Sequence, residues 1–291
     1  MTQRLSQEAR RRLEISLVHE PGSAAAARAL AAGRVRRTAA ADEALARAAG
    51  AGMRWVIPGE PEWPAGVDDL DHPDPVSGSG GAPAGLWIRG AARLDDLVAD
   101  AVGIVGARDC TTYGAELAGD IAADCADHGL TVVSGAAFGI DACAHRGALM
   151  MERPTIAVLA CGADLDYPRA HAALLSRILA DGLVVSEHAP GVPVARHRFL
   201  ARNRLIAALT RGVVVVEAAR RSGSLNTLHW ADQLGRTTMA VPGPVTSQQS
   251  AGTHQAVRDG KAILVTSGLD VVAAMRGLDT AEPEPDLFTA T

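Results

Sequence analysis

The chain has 291 residues, of which 48% are hydrophobic and 3% are aromatic, and its formal net charge is −5. A chain of this length can bury a full hydrophobic core, and one large domain with a small one is the expected organisation. The negative charge excludes a globally basic nucleic-acid-binding protein, so any such role requires a local basic patch.

The positions of the cysteines and the hydropathy of the chain further limit the class of protein and its location. The four cysteines, at 110, 125, 143 and 161, form no CxxC pair, so we expect neither a zinc site nor a disulfide framework, and we expect no metal or cofactor. The first residues are too charged for a signal peptide, and no apolar run approaches the ~18 residues of a membrane span. We therefore expect a cytoplasmic protein without a membrane partner.

The first two segments of the chain differ in composition. Residues 1–52 contain strong helix formers separated by glycines, which predicts a small helical N-terminal domain that is a scaffold or interaction module. Residues 53–98 predict a connecting segment with short strands at 53–57 and 86–90, the second of them an edge strand. A loop rich in proline, glycine and serine lies between these strands.

Strand and helix patterns alternate through residues 99–276. Seven short apolar runs, most of them separated by helical stretches, predict about seven strands. Near-continuous apolar strands that alternate with helices are typical of a mainly parallel sheet covered on both faces. The expected fold class is α/β, with a Rossmann-like doubly wound sheet, and residues 277–291 predict a disordered acidic tail.

The stretch 102–141 predicts a strand, a glycine turn, a helix, a second strand and a second glycine turn, which together form a parallel βαβ unit. Each turn joins the end of a strand to the start of a helix, where free N–H groups and the helix dipole bind anions. Gly106 and Arg108 follow the first strand, and Ser134 and Gly135 follow the second. The pattern is not GxGxxG, but it predicts a phosphate-bearing ligand at the carboxyl edge of the sheet.

The densest basic run of the chain spans residues 196–204 and leads into a helix. Arginines with an interleaved aromatic suit single-stranded nucleic acid, because guanidinium groups bind phosphates and a ring stacks on a base. The alternative is a solvated arginine face with the phenylalanine in the core. The candidate residues of the run are Arg196, Arg198, Phe199, Arg202, Asn203 and Arg204.

A third strand-to-helix turn spans residues 217–227 and includes the neighbouring Arg220 and Arg221. Its hydroxyls and N–H groups could bind an anion, although an ordinary capped helix start is the alternative. Three such turns and the arginine run are predicted to meet at one edge of the sheet. The candidate residues of this turn are Ser222, Gly223, Ser224 and Thr227.

Asp141 and His145 are four residues apart, on one face of the helix after the second glycine turn. We interpret Asp141 as a first-turn carboxylate that complements the helix dipole, with His145 packed against it. An acid/base pair is disfavoured because no third catalytic partner is evident. We expect no catalytic residue.

In the order and spacing of about ten motifs, the sequence resembles the DNA-processing protein A family (DprA, also called Smf). The resemblance covers residues 55–275 and includes short segments at 62–64 and 86–90. The motifs are IVGAR at 104–108, YG at 113–114, VVSGAAFGIDACAHRGAL at 132–149, AVLACGAD at 157–164, YP at 167–168, SEHAPG at 186–191, FLARNRLIAALT at 199–210, VVVVEAARRSGSLNT at 213–227, AVPG at 240–243 and SAGTHQAVRDGKAIL at 250–264.

This resemblance implies a recombination mediator that is not an enzyme, binds incoming single-stranded DNA in natural transformation, forms homodimers and loads the recombinase RecA. It implies a Rossmann-like DNA-binding domain at 99–276, and we expect no C-terminal winged helix. Phe138 stands where the family usually has arginine, and its ring could stack on a base. The residues carried over by motif position are Arg108, Ser134, Gly135, Phe199, Arg202, Asn203, Arg204, Ser222, Gly223 and Ser224.

Two alternatives stay open. The first is a Rossmann-like nucleotide-binding protein, either a sensor or a relative of phosphoribohydrolases. Those enzymes carry PGGxGTxxE, whereas the turn here reads RSGSLNTLHW, with no glutamate after it and Asp232 further along the chain. The second is a paralogue recruited through the N-terminal helices that does not bind DNA tightly.

Overall fold

The computed structural model describes residues 5–33 and 38–277, and the chain begins with three helices. They are α1 (Gln7–Val18), α2 (Ala24–Ala32) and α3 (Ala39–Gly50). Ser6 and Ser23 cap the first two, because their side chains accept hydrogen bonds from the backbone N–H groups of Ala9 and Ala26. The predicted helical N-terminal segment is confirmed.

These helices share a hydrophobic core with the sheet that follows. Ala9, Leu13 and Leu45 belong to one buried cluster together with Trp55 and Trp87. The Trp55 indole donates a hydrogen bond of 3.2 Å to the carbonyl of Ala9. The N-terminal helices are therefore packed directly on the sheet, and their position relative to its strands is fixed.

One sheet of nine strands organises the described chain. The strands are β1 (Met53–Val56), β2 (Leu86–Arg89), β3 (Ala101–Val105), β4 (Thr131–Ser134), β5 (Thr155–Val158), β6 (Leu183–Ser186), β7 (Gly212–Val215), β8 (Thr237–Ala240) and β9 (Ile263–Leu264). Their order is β1-β2-β6-β5-β4-β3-β7-β8-β9, and the seven strands β3 to β9 run parallel. The prediction of about seven mainly parallel strands is confirmed.

The strands of residues 53–98 extend this sheet. β2 pairs antiparallel with both β1 and β6, so Trp87 lies between Trp55 and Ser186. The prediction that 86–90 forms an edge strand is therefore wrong. β1 covers its outer side, and Trp87 and Ile88 are completely buried.

Helices cover both faces of the sheet, as predicted. Side chains alternate along β7, so Val213 and Val215 pack under the helices at 196–208 and 224–233. Val214 packs on the opposite face, under the helices at 112–127, 140–150 and 268–276. Apart from Gly277, the predicted acidic tail lies outside the described residues. The helices are α4 (Leu94–Val98), α5 (Thr112–Asp127), α6 (Ile140–Met150), α7 (Ala172–Asp181), α8 (Arg196–Ala208), α9 (Ser224–Gln233), α10 (Ala251–Arg258) and α11 (Gly268–Arg276).

The strand order reverses at β3, whose neighbours are β4 on one side and β7 on the other. In an open parallel sheet, a crevice forms outside the carboxyl ends of the strands at such a reversal, and ligands bind there. The topology thus places the turns after β3 and β7 on opposite walls of one crevice. None of the helices in the described part of the chain is long and apolar enough to cross a membrane.

Candidate nucleic-acid interface

A cleft of about 630 Å³ lies at the carboxyl ends of β3 and β7, beside the start of α8. It brings together residues from the first glycine turn, the basic run and the third turn, which lie far apart in the sequence. The predicted convergence is therefore observed for most of the candidates. The predicted residues that line the cleft are Gly106, Arg108, Arg196, Phe199, Arg202, Asn203, Ser222, Gly223, Ser224 and Thr227.

Free cations give the cleft its positive charge. Arg108, Arg196 and Arg221 are exposed, line the cleft and form no ion pair with any residue that the structure describes. Asp141 is the one acidic side chain among the described lining residues. Because guanidinium groups bind phosphate oxygens in a bidentate manner, this set suits an extended polyanion. Arg221 is an addition to the predicted candidates, whereas its neighbour Arg220 lines a different cavity.

Arg202 lies at the floor of the cleft and is only 5% exposed. Its Nη1 donates to the carbonyl of Val158 at 2.7 Å, and its buried Nε has no partner. Burial lowers the pKa of this guanidinium, and Asp141 acts in the opposite direction. A Cβ at Gly135 would lie 1.7 Å from Nη1, so only glycine at 135 leaves space for the arginine. The role of Gly135 is therefore to leave space for the Arg202 guanidinium.

The second glycine turn does not offer a free anion site. Asp141 accepts hydrogen bonds from the N–H groups of Gly135 (3.1 Å) and Ala137 (3.4 Å). Burial raises the pKa of Asp141, while Arg202 and these N–H groups lower it. Ser134 is completely buried and donates to the carbonyl of Ile104 at 2.6 Å. The Ser134 hydroxyl proton is therefore already used and the turn holds its own carboxylate, so the phosphate contact of Ser134 stays a prediction that this geometry does not favour.

The start of α5, after the first turn, is also occupied by a protein carboxylate. The completely buried Glu217 accepts from the backbone N–H of Thr111 at 2.9 Å and from its hydroxyl at 2.7 Å. Gly114 is required there, because a Cβ would lie 2.3 Å from the Glu217 carboxylate. Gly106 and Arg108 thus face the cleft, but the helix start beside them is not an empty anion site.

The third turn brings the start of α9 to the cleft, and no carboxylate of the described chain is bonded to it. Gly223 is the N-cap residue of α9, and the N–H of Ser224 donates to the Ser222 hydroxyl at 3.3 Å. The hydroxyls of Ser222 and Ser224 lie 2.7 Å apart, and both residues line the cleft. Asn203 fixes this turn by donating to the carbonyl of Gly223 at 3.0 Å. Of the three predicted anion sites, the start of α9 best fits a phosphate.

Three aromatic rings form a row beside the cations. The rings of Tyr167 and Phe199 are 5.9 Å apart, and the guanidinium of Arg108 lies 4.5 Å over Phe199. Phe138 is 50% exposed and meets His171 edge-on at 4.7 Å. Phe138, Tyr167, Phe199 and Arg108 surround one small hollow. Phe199 is therefore not a core residue, and Tyr167 is a further candidate that the YP motif at 167–168 could have indicated.

Two arginines of the basic run do not line the cleft and are instead bound to carboxylates. Arg204 is completely buried and makes two hydrogen bonds, of 2.5 and 2.6 Å, to the carboxylate of Glu187. Arg198 binds the carboxylate of Glu20 with Nε at 2.5 Å and Nη2 at 3.0 Å. Neither guanidinium is free for a phosphate in this structure, because a carboxylate already holds each one.

His145 does not pair with Asp141. Its Nδ1 lies 2.8 Å from the Thr155 hydroxyl, which itself donates to the carbonyl of Val132. The hydroxyl proton is thus used, so Nδ1 carries the proton and donates it to Thr155. Burial lowers the pKa of His145 to about 3. The histidine is a neutral core residue, and no group of side chains in the described chain could hold a metal ion.

Comparisons with known proteins agree with this geometry. The family model for DNA recombination-mediator protein A matches residues 54–276. The putative DNA processing protein DprA of Mycobacterium tuberculosis is 49% identical over 228 residues, which are 76% of this chain and 57% of that protein. DprA of Streptococcus pneumoniae is 43% identical over 192 residues, which are 66% of this chain and 67% of that protein. The chain thus spans a little more than half the length of its Mycobacterium relative.

Two solved structures are also similar. The X-ray structure of DprA from Streptococcus pneumoniae superposes with a TM-score of 0.70 at 34% identity, covering 86% of this chain and 81% of that one. DNA processing protein A from Helicobacter pylori, described for its single-stranded DNA binding mode, gives a TM-score of 0.66 at 26% identity, covering 78% and 98%. This chain belongs to the DNA recombination-mediator protein A family, known as DprA or Smf.

Proposed function

We propose that this protein binds single-stranded DNA and acts as a recombination mediator, which protects incoming strands and loads RecA in natural transformation. The observation that carries the proposal is the cleft, which combines exposed and unpaired Arg108, Arg196 and Arg221 with the row of rings. Membership of the family supports it, as does the single-stranded DNA binding mode described for the Helicobacter pylori relative. Because its proposed partners are an incoming DNA strand and RecA, we propose that the protein acts in the cytoplasm.

In the proposed mode, the strand lies across the carboxyl edge of the sheet. Phosphates contact the cleft arginines and the start of α9, where the hydroxyls of Ser222 and Ser224 suit an anion. Bases stack on Phe199 and its neighbours, and each such contact contributes about 1–3 kcal/mol. Bases in a duplex are already stacked and paired, so the rings favour a single strand.

We propose binding without a chemical reaction. Asp141, the acid at the cleft, is buried and accepts two backbone N–H groups, so it has no free position from which to act on a ligand. Asp232 lies on the wall of the other cavity, together with Arg220 and Lys261. The cleft therefore has phosphate-binding groups but no carboxylate placed for hydrolysis.

We propose a homodimer formed through the β9 end of the sheet. Ile263 and Leu264 are 54% and 50% exposed on this edge strand, and Leu269 nearby is 56% exposed. Exposed apolar edge strands pair readily, and a second copy would cover all three side chains. Light scattering during size exclusion should give a dimer mass, and Leu264→Lys should give a monomer. A monomeric wild type at micromolar concentration would refute this interface.

The proposed function is tested by fluorescence anisotropy with a labelled oligonucleotide, single-stranded against duplex, across a salt series. Four cleft arginines predict a slope of log K on log[salt] of up to about −3 for a single strand. Arg108→Ala with Arg221→Ala should weaken binding and flatten the slope. Arg146→Ala is the control, because Arg146 is exposed but does not line the cleft. RecA loading is tested separately, as RecA filament assembly on a coated strand.

Absence of single-strand binding at low salt, by a protein shown to be folded by circular dichroism, would refute the proposal. Equal losses of single-strand affinity in the Arg108→Ala and Arg221→Ala double variant and in Arg146→Ala would also refute it. The DNA would then not bind specifically at the cleft.

A further inference from the structure

The loop between α1 and α2 reaches the basic run of α8. Glu20, in that loop, accepts hydrogen bonds from Arg198 at 2.5 and 3.0 Å. The same carboxylate lies 3.1 Å from Nε2 of His197. One side chain of the N-terminal helical segment thus holds two consecutive basic residues of the segment that leads into the cleft.

Packing directly after Glu20 holds this loop in place, and a further contact ties the N-terminal segment to the rest of the chain. The carbonyl of Gly22 accepts from the N–H of Gly80 at 2.9 Å. Gly22 has a φ of +72°, and a Cβ there would lie 3.2 Å from the buried guanidinium of Arg204. On α3, Arg47 forms an ion pair of 2.7 Å with Asp164. The contact of Glu20 therefore belongs to a packed interface, unlike a mobile surface ion pair.

Arg198 lies beside the cleft, although it does not line it. Its neighbours Arg196 and Phe199 both line the cleft, and its Nη1 donates to the carbonyl of Pro193, directly before the lining residues 194 and 195. Glu20 binds the guanidinium with both oxygens, in the same two-bond geometry that a phosphate uses. The carboxylate therefore holds the two guanidinium donors that a phosphate beside the cleft would otherwise bind.

We infer that Glu20 is an internal competitor of DNA phosphate: the α1–α2 loop holds Arg198 and His197, and an entering strand must displace it to gain their contacts. The inference rests on the proposed function of the cleft. It gives the N-terminal segment a regulatory role, since whatever moves the α1–α2 loop changes the number of cations that face the strand. It also explains how a predicted DNA contact, Arg198, is occupied in the protein alone.

The test is anisotropy with a labelled single strand at pH 7.5 across a salt series, for Glu20→Gln and for Glu8→Gln. Glu8 is the matched control, because it pairs with Arg11 and Arg12 within α1. Glu20→Gln should bind about threefold to fivefold more tightly, because a partly exposed ion pair of this kind contributes on the order of 1 kcal/mol. One more neutralised phosphate should steepen the slope by about 0.7. Glu8→Gln should match the wild type.

A second variant assigns the gain to Arg198. Adding Arg198→Ala to Glu20→Gln should remove both the tighter binding and the steeper slope, whereas Arg198→Ala alone should change affinity less than twofold. Melting curves verify that each variant is folded. If Glu20→Gln equals Glu8→Gln in affinity and slope, or binds more weakly, the inference is wrong. If the wild type binds no single strand, the proposed function fails instead.

Discussion

At the scale of single residues, Gly135 and Arg202 form a unit whose parts lie 67 positions apart. The Gly135→Ala substitution places a Cβ where Nη1 of Arg202 lies, 1.7 Å away, so the buried guanidinium must leave its site. Because hydrogen bonds to charged groups contribute about 1.5–3 kcal/mol, we expect single-strand affinity to fall by about tenfold to a hundredfold. Anisotropy titrations measure this loss.

Gly119→Ala is the matched control for that prediction. Gly119 lies in α5, and a Cβ there would meet no atom within 4 Å. Alanine in a helix interior is favoured over glycine by about 1 kcal/mol, so this variant should be as stable as the wild type or more so. Wild-type affinity for Gly135→Ala would show that Arg202 does not contact the strand.

Substitutions at Phe138 can distinguish base stacking from charge in strand binding. Its exposed ring can stack on a base, so Phe138→Ala should weaken single-strand binding by about 1–3 kcal/mol and leave the salt slope unchanged. Phe138→Arg should restore affinity but steepen the slope by about 0.7. Salt-dependent anisotropy distinguishes the two effects. A flatter slope for Phe138→Ala, or no loss of affinity, would exclude stacking at this position.

At the scale of elements, α8 shows what the sequence could and could not predict. The basic run before a strand predicted a ligand site at the carboxyl edge of the sheet, and the cleft lies at that edge. However, Arg202, Asn203 and Arg204 are buried, and their partners come from β5, from the third turn and from Glu187. Such partners are fixed by the strand order, so local composition cannot distinguish a paired arginine from a free one.

The helix starts show the same limit of sequence reasoning. Strand–glycine–helix patterns correctly located three turns at the carboxyl edge, because period and turn chemistry are local signals. Whether an anion site is empty depends on carboxylates supplied by other segments. Glu217 fills the start of α5 from a position 106 residues away, and Asp141 fills the turn before its own helix. At the start of α9, in contrast, no carboxylate of the described chain is bonded to the helix, and the hydroxyls of Ser222 and Ser224 line the cleft.

The ion pair between α8 and the segment after β6 predicts a large stability effect. Glu187→Ala leaves Arg204 with an uncompensated buried charge, which typically costs about 3–5 kcal/mol. We therefore expect a strongly reduced free energy of unfolding, measured by urea denaturation at pH 7. Asp100→Ala breaks an exposed pair with Arg211 and should change it by less than about 1 kcal/mol. Equal effects of the two variants would contradict the burial argument.

At the scale of the whole molecule, the N-terminal helices, the sheet and the cleft are one packed unit. Helix α1 shares a hydrophobic cluster with β1 and β2, and the loop after it reaches the basic run of α8. A change at one end of this unit can therefore reach the strand-binding edge without a flexible linker. Dimerisation through β9 would use the opposite end of the sheet and leave the contacts of this loop unchanged.

The buried His145 makes the free energy of unfolding of the whole molecule change with pH. Its pKa is lowered to about 3 in the folded protein, so the unfolded chain binds a proton below about pH 6.5 while the folded chain does not. Protonation would place a charge on Nε2, which is buried and has no partner. Stability is thus complete above pH 6.5 and falls as the pH decreases, by up to about 1.4 kcal/mol per pH unit from this group.

His145→Asn tests this dependence, because its amide can still donate to Thr155 but does not titrate. Urea unfolding between pH 6 and pH 5 measures how steeply the free energy of unfolding changes with pH. For His145→Asn this slope should be smaller than for the wild type, by the equivalent of about one bound proton. The pKa of the buried His188 is also lowered by burial, so this residue gives both proteins the same residual slope. The carboxylates with lowered pKa values lose their contribution only at more acidic pH, outside this window. An unchanged slope would mean that His145 becomes protonated inside the folded protein.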